Sequence, residues 1–307
     1  MTALGFFPSM GGCDIWMRSE RDYYYYVDCY CDGMIVMHKE PNHVFYSIRG
    51  KGFTIKETSS TDYFIGGDFE RVKEPNTNSN ILTWGYKTYF KRMMDNFKNT
   101  FGFEPSKKHA AMTPDFKPEL ETTELCNNTE KAQYWKCISE MQWAVALGRK
   151  DMMYANIVLS RCLPASHKVH LNNINHVYGY LNKYTSKSIK FNIEKHDYKK
   201  FNTIEGNWGK FYAGETEDLL LACLPLMCKP VLITSFADAN LMADLTTGIY
   251  HTVIIHLMNR TLYIGTPNQS LASKLPPMVV NTPPLAFVLT IFLTFVITYS
   301  ILESLYR

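Results

Sequence analysis

The first part of the chain has the hydrophobic pattern of β-structure. Two apolar and aromatic runs within residues 23–37 flank the dipeptide Asp32-Gly33. An Asp-Gly pair between two such runs is the strongest short signal for a β-hairpin. Residues 62–69 predict another strand, which a pair of glycines interrupts at a point where other groups can approach the backbone closely. The pattern therefore predicts a β-rich region with one helix over residues 1–75.

The next segment alternates between short elements and loops. The polar stretch 74–80 is typical of a loop, residues 81–84 continue as a short strand, and residues 87–97 have the composition of a helix. Residues 107–128 contain prolines and several acids but show little periodicity. We expect this last stretch to be an exposed linker.

From Glu130 onward the periodicity becomes helical. Apolar residues recur at helical spacing up to Gly148, and a second helix is predicted over residues 151–161. Ser166 is well placed to cap a third helix, which has one apolar face. Residues 188–194 then alternate with the period of a half-buried strand.

The C-terminal part combines short strands with an uncharged tail. Three strands are predicted there, at residues 231–236, 251–258 and 261–265. Residues 285–302 carry no charge, and a helix of about 18–20 apolar residues spans a bilayer core. The tail is therefore a candidate transmembrane helix, with a buried apolar helix or a tail read in an accidental frame as the alternatives.

The composition is that of a folded chain without a strong overall charge. Of the 307 residues 46% are hydrophobic, and the net charge of +3 is too small to require a nucleic-acid partner. Between Arg161 and Lys210, however, nine Lys and Arg residues face three acids. This basic stretch is either a solvated face or a binding surface. Eight scattered cysteines without a Cys-x-x-Cys pair, and no secretory pattern, indicate a reduced, intracellular setting.

The order of short motifs adds a more specific signal. The motifs occupy residues 5–9 and 14–18, 30–33, 63–69, 82–89, 134–181 and 236–240. Over about residues 4–275 they resemble the Pol polyprotein of copia-type LTR retrotransposons, from the C-terminal part of the reverse transcriptase to the start of RNase H. Tyr30-Cys31-Asp32-Gly33 stands where reverse transcriptases have a Tyr-Val-Asp-Asp hairpin.

The resemblance implies an α+β fold in five parts. These are a partial reverse-transcriptase palm with the β-hairpin (1–75), a thumb-like segment and linker (76–129), a helical connection with the basic stretch (130–230), a short, truncated, antiparallel RNase H-like sheet (231–275), and a C-terminal apolar helix (283–303). By this resemblance, Asp32 descends from a polymerase metal ligand. Asp238 corresponds to the first catalytic Asp of RNase H.

The sequence departs from the family at the positions that carry its chemistry. Both enzymes hold two Mg²⁺ ions with several carboxylates, which clamp the attacking and leaving oxygens. Gly33 replaces the second Asp of the hairpin, and the family's other essential Asp lies upstream of the matched region. Beyond Asp238 the RNase H pattern degrades. We therefore expect a degenerate fragment that binds no Mg²⁺ pair and has neither activity, with Asp32 as its candidate metal ligand.

Three functional hypotheses follow. The first is an inactive, retrotransposon-derived fragment that binds nucleic acid weakly by charge and stacking. The residues expected to bind are Lys183, Lys187, Lys190, Tyr180 and Tyr184. The second is a membrane protein anchored by residues 285–302, with a non-catalytic intracellular body. The third is an active polymerase completed by an unknown second chain that supplies the missing Asp.

Overall fold

The computed structural model describes residues 1–9, 12–21, 23–31, 33–56, 60–74, 80–113, 116–192, 194–195, 197–198, 231–240, 245 and 249–271. Within these ranges, five α-helices and three small antiparallel sheets form a mixed α+β fold, in agreement with the predicted fold class. Asp32 and the apolar segment 283–303 lie outside the described residues.

The first sheet is a meander of four strands taken in chain order. Its strands are β1 (Phe7–Ser9), β2 (Gly12–Glu20), β3 (Tyr23–Tyr30) and β4 (Gly33–Met37), and helix α1 (Pro41–Arg49) follows. The guanidinium of Arg18 on β2 donates a 2.7 Å hydrogen bond to the Leu4 carbonyl and lies over the rings of Phe6 and Tyr25. This side chain links the N-terminal residues to the opposite strand of the sheet.

The second sheet joins distant parts of the chain. Its strands, in order, are β5 (Tyr63–Phe64), β6 (Gly67–Lys73), β7 (Asn80–Gly85) and β8 (Ile189–Lys190). Ile65 and Gly66 both have positive φ angles and form the tight turn between β5 and β6. The short strand β8 pairs with β7 across more than a hundred residues of sequence, so this sheet holds the helical part against the N-terminal part.

Four further helices fill the middle of the chain. They are α2 (Lys87–Phe101), α3 (Asn128–Ala146), α4 (Met153–Ser160) and α5 (Lys168–Lys183). A reciprocal capping box of Asn127 and Glu130 begins α3. Gly148, at a φ of +107°, then turns the chain into a short 3₁₀ helix over Lys150–Met152. The predicted helical region is therefore confirmed, with a tight turn where the glycine interrupts it.

The third sheet is a three-stranded meander near the C-terminal end of the described chain. Its strands are β9 (Ile233–Asn240), β10 (Ile249–Met258) and β11 (Thr261–Leu271). The turn between β10 and β11 lies at Asn259-Arg260, between the predicted strands 251–258 and 261–265, and Asn259 has a positive φ angle there. The backbone N–H of Asn192 donates a 2.8 Å hydrogen bond to the Thr261 hydroxyl, which ties this sheet to the segment that follows β8.

Two hydrophobic clusters share the first sheet as a common wall. The larger cluster packs Tyr24 and Tyr26 against the second sheet and helices α2 to α5, whereas the smaller one packs Tyr25 and Val27 against α1. Successive strand residues point to opposite faces, so β3 is buried on both sides. The tyrosine run is therefore the centre of the sheet.

Several details differ from the sequence-based predictions. Tyr30 pairs with Gly33, so Gly33 is already the first residue of β4 and not part of the turn. His167 rather than Ser166 caps α5: its backbone N–H donates a 3.0 Å bond to Nδ1 of His170. Asp238 lies within β9, opposite Val253, and not beyond the end of the strand.

Residues 107–128, predicted to be an exposed linker, also differ from the prediction, because they pack against the helical region. Within residues 107–128, as far as they are described, the backbone N–H of Lys108 donates to the Gly179 carbonyl and His176 bonds to the Ala110 carbonyl. Met112 and Phe116 pack against the larger cluster. The segment packs along α5 through hydrogen bonds to backbone carbonyl groups. Such bonds do not require a repeating pattern of side chains, so the sequence of the segment shows no periodicity.

We expect Gly67→Ala to destabilise the protein, because a Cβ at this position would overlap the indole ring of Trp84. Trp84 is 4% exposed and has little room to shift, so the free energy of unfolding should fall by about 3 kcal/mol. Urea unfolding measures the loss. Gly33→Ala is the matched control, since its Cβ would meet Phe64 at an ordinary 3.6 Å. Equal stability of the two variants would contradict the close packing of Gly67 against Trp84.

Candidate nucleic-acid interface

A basic cleft of about 510 Å³ opens where the helical part meets the third sheet. Four cationic side chains line it, with one carboxylate among them. These residues, which we call the basic cleft, are Lys150, Lys187, Lys190, Arg260 and Asp151. Lysine and arginine side chains around a concave surface are suited to contact anions, phosphate groups among them.

Four separate elements bring these side chains together. Lys150 and Asp151 lie in the 3₁₀ helix after α3, and Lys187 lies in the turn between α5 and β8. Lys190 ends β8, and Arg260 lies in the turn between β10 and β11. A side chain at Gly148 would approach Ile189 to 3.1 Å, so this glycine lets the 3₁₀ helix lie close to β8.

Arg149 anchors the cleft from beneath. Its side chain is 1% exposed, and it donates two hydrogen bonds to the Asp151 carboxylate, Nε to Oδ1 at 2.8 Å and Nη2 to Oδ2 at 2.9 Å. Its Nη1 donates to the hydroxyl of Tyr86 and, at 2.9 Å, to the carbonyl of Tyr184. A buried guanidinium is stable only when its donors are matched in this way.

Asp151 collects further donors on its outer side. The Tyr180 hydroxyl donates to Oδ2 at 2.6 Å, and Nζ of Lys187 donates to the same oxygen at 3.0 Å. Burial opposes ionisation of Asp151, but the bonds from Arg149, Tyr180 and Lys187 outweigh it and lower its pKa to about 2. The carboxylate is therefore ionised at neutral pH and its charge is fully offset by cations.

The five residues predicted to bind nucleic acid end up in unequal positions. Lys187 and Lys190 line the basic cleft, whereas Nζ of Lys183 lies 2.6 Å from Nδ1 of His109. Tyr180 is 7% exposed and its hydroxyl is used by Asp151. The half-buried ring of Tyr184 lies beneath the ammonium groups of Lys183 and Lys187, at 5.5 and 4.8 Å from its centre.

Sequence reasoning missed the residues that build the cleft. Arg149 and Asp151 stand two positions apart, which is the only signal they give, and an Arg-x-Asp spacing is common on protein surfaces. Lys150 and Arg260 were likewise given no role. Their side chains converge only because the 3₁₀ helix and the β10–β11 turn meet across a long sequence separation.

Lys150 differs from the other cations of the cleft. It is half-buried, and within the described part of the chain no carboxylate pairs with its ammonium group. Burial lowers its pKa to about 8. Arg260, by contrast, is paired with Glu194 at the mouth of the cleft.

The hairpin also carries a carboxylate on one of its strands. Asp32 lies outside the described residues, but Asp28 is described on β3 and is 4% exposed, between Ile15 of β2 and Ile35 of β4. Burial, and secondarily the charge of Asp14, raise the pKa of Asp28 to about 6. A carboxyl group buried between strands is not positioned to share a metal with the hairpin turn.

The described residues do not fit a two-metal site. Among them, no group of three or more His, Cys, Asp or Glu side chains is arranged to hold a metal ion. Among the described residues of β2 to β4, the carboxylates are the exposed Asp14, the half-buried Glu20 and the buried Asp28. We therefore derive no catalytic step through Mg²⁺.

The helices that the structure describes include none long and apolar enough to cross a membrane. The candidate span, residues 283–303, lies outside that part of the chain.

Comparison of the chain with protein families, with curated proteins and with solved structures found no match.

Asp151→Asn should destabilise the protein by about 3 kcal/mol, because the substitution leaves the buried Arg149 guanidinium without its anion. Asp95→Asn is the control, since Asp95 is an exposed acid on α2 and should change the free energy of unfolding by less than about 0.5 kcal/mol. Chemical denaturation at pH 7 measures both. If Asp151→Asn lowered the free energy of unfolding no more than the control does, the ion pair of Arg149 with Asp151 would not contribute to stability.

The raised pKa of Asp28 predicts a pH-dependent stability. Its folded pKa of about 6 lies above the unfolded value of 3.8, so the native state binds the extra proton between these pH values. The free energy of unfolding contributed by this group therefore falls as the pH rises through this window. Asp28→Asn should be more stable than the parent by about 3 kcal/mol at pH 7.5 and equal to it near pH 3.5. Thermal unfolding at the two pH values tests this, and a less stable variant at pH 7.5 would contradict it.

Proposed function

We propose that this protein is a non-catalytic nucleic-acid-binding fragment of reverse-transcriptase ancestry, which holds the phosphate backbone in the basic cleft. The observation that carries the proposal is the convergence of Lys150, Lys187, Lys190 and Arg260 on one concave surface. Backbone contacts of this kind give affinity without sequence preference.

The charge balance of the cleft supports anion binding. Asp151 is matched from beneath by the buried Arg149, and Glu194 is matched by Arg260. The cleft therefore combines five cations, Arg149, Lys150, Lys187, Lys190 and Arg260, with these two carboxylates, and it keeps a net positive charge. A phosphodiester chain, with one negative charge per nucleotide, complements such a surface.

The aromatic contribution is smaller than the sequence pattern indicates. Single strands bind proteins by backbone charge together with bases stacked on aromatic rings. Of the two predicted stacking residues, Tyr180 is buried, so the half-buried Tyr184 is the better candidate. Binding through the cleft is therefore electrostatic in the main and should be sensitive to salt.

The proposed ancestry rests on the order of the sequence motifs. In the fold, β3 and β4 pair as a hairpin at the edge of the first sheet, and Asp238 lies on the first strand of the antiparallel meander that forms the third sheet. Gly33 in place of a second hairpin Asp supports the loss of polymerase chemistry, because that chemistry requires several carboxylates around two cations.

The double variant Lys190→Gln/Arg260→Gln should weaken binding of a fluorescent single-stranded oligonucleotide. Two fewer phosphate contacts should lower the slope of log K against log salt by roughly 1.4. Lys51→Gln/Lys56→Gln is the matched control, because it removes the same charge from exposed positions that do not line the cleft. Anisotropy titrations at several salt concentrations measure the slopes. Equal slopes for the two variants, or parent binding that resists high salt, would count against the proposal.

Template-primer extension tests the loss of catalysis. We expect no extension by the parent chain with Mg²⁺ or Mn²⁺, and the same result for Asp32→Ala, because too few carboxylates remain to hold a cation pair. Gel analysis of a labelled primer gives the readout, with an active polymerase as the positive control. Extension by the parent that disappears in Asp32→Ala would show that Asp32 still holds a metal.

A further inference from the structure

Lys150 is held in a fixed position at the wall of the basic cleft. It lies between the buried Arg149 and the clamped Asp151, in the short 3₁₀ helix that Gly148 introduces. Lys150 lines the same cleft as Lys187, Lys190 and Arg260. Its position is thus set by its two neighbours, while its own amine has no carboxylate partner among the described residues.

The environment favours the neutral amine. Burial lowers the pKa of Lys150 to about 8, so at pH 8 about half of the molecules carry the free amine, compared with less than about 1% for an ordinary lysine. The neutral amine is the nucleophilic form, and desolvation is a recognised way of activating it. The charged residues that line the cleft together with Lys150 are Lys187, Lys190, Arg260 and Asp151.

We propose that Lys150 captures aldehydes that carry a phosphate group, with the phosphate held by the other cations of the cleft and the carbonyl presented to the lysine amine. The inference rests on the proposed function, since the same cations would hold the phosphate of a nucleic acid and the phosphate of the aldehyde. It adds a covalent step and a substrate class to what would otherwise be a binding surface.

The step is an imine condensation and needs no oxidant or second protein. The lone pair of Nζ attacks the aldehyde carbon, the carbonyl oxygen takes up a proton, and the resulting carbinolamine loses water to give a C=N bond to Nζ. Water reverses the reaction. The cations of the cleft raise the local concentration of the aldehyde by binding its phosphate.

Two sources carry this chemistry. One is a small phosphorylated aldehyde, and a cleft of about 510 Å³ lies within the usual range for small-molecule sites. The other is an abasic nucleotide in a nucleic-acid strand, whose opened sugar bears an aldehyde between two phosphates. The shared feature is an aldehyde within a few bonds of a phosphate.

The experiment uses pyridoxal phosphate as the probe, with pyridoxal as its phosphate-free counterpart. The full chain is incubated with each compound at pH 8, reduced with borohydride to fix the imine, and mapped by peptide mass spectrometry. We expect preferential labelling of Lys150 by pyridoxal phosphate, at least tenfold faster than by pyridoxal and suppressed by inorganic phosphate. Lys150→Arg should lose this label and Lys190→Arg should retain it, since both substitutions keep the charge.

The outcomes separate the inference from the proposed function. Labelling spread over the exposed lysines, with none preferred at Lys150, overturns the inference even if oligonucleotides bind the cleft. Lys150 labelled equally by both compounds overturns the phosphate-directed capture, and together with equal salt slopes in the binding assay it overturns the proposed function too. In the parent chain, labelling of Lys150 should rise with a midpoint near pH 8, and a midpoint above pH 10 also overturns the inference.

A second arm identifies the source of the aldehyde. A single-stranded oligonucleotide with one abasic site is mixed with the protein and reduced with borohydride. A cross-link that maps to Lys150 and is absent in Lys150→Arg supports capture from nucleic acid. Absence of the cross-link alongside labelling by pyridoxal phosphate supports capture of small phosphorylated aldehydes.

Discussion

The buried guanidinium of Arg149 is the group around which the helical half of the molecule is arranged. It bonds to Asp151 in its own turn, to Tyr86 before α2 and to the carbonyl of Tyr184 after α5. A charge with 1% exposure cannot lose one of these partners without a large desolvation penalty. The ends of three helices are therefore fixed relative to one another by a single side chain.

The same interaction sets the electrostatics of the surface above it. Arg149 neutralises the charge of Asp151 from the protein interior, so this carboxylate adds no net negative charge to the cleft. Lys187, which also pairs with Asp151, therefore contributes a positive charge to the surface. The strand pairing of β8 with β7 then places Lys190 beside it. The positions of the cations in the cleft thus depend on the buried ion pair of Arg149 with Asp151 and on the pairing of β8 with β7. A ligand in the cleft would not contact Arg149 or β7.

The elements with a strong local period could be predicted from the sequence, whereas the site could be predicted only in part. The hairpin and α3 to α5 follow from aromatic runs and helical spacing, which depend on neighbours along the chain. The docking of residues 107–128 and the clamp of Asp151 by Lys187 depend on contacts between distant residues. Lys187 and Lys190 were predicted as cations of the site, but Lys150 and Arg260 gain their significance only in three dimensions.

The tyrosine run at the centre of the first sheet has a consequence for how the chain reaches this structure. Tyr23 to Tyr26 pair with four different residues of β2, yet a shift of two positions would bring one tyrosine where another belongs and preserve both faces. The four consecutive tyrosines therefore specify the register of β3 against β2 only weakly. The alignment comes from its surroundings, through Arg18 against Tyr25 and the buried carboxyl of Asp28. Correcting misaligned pairings is accordingly the step that we expect to govern the folding time of the sheet.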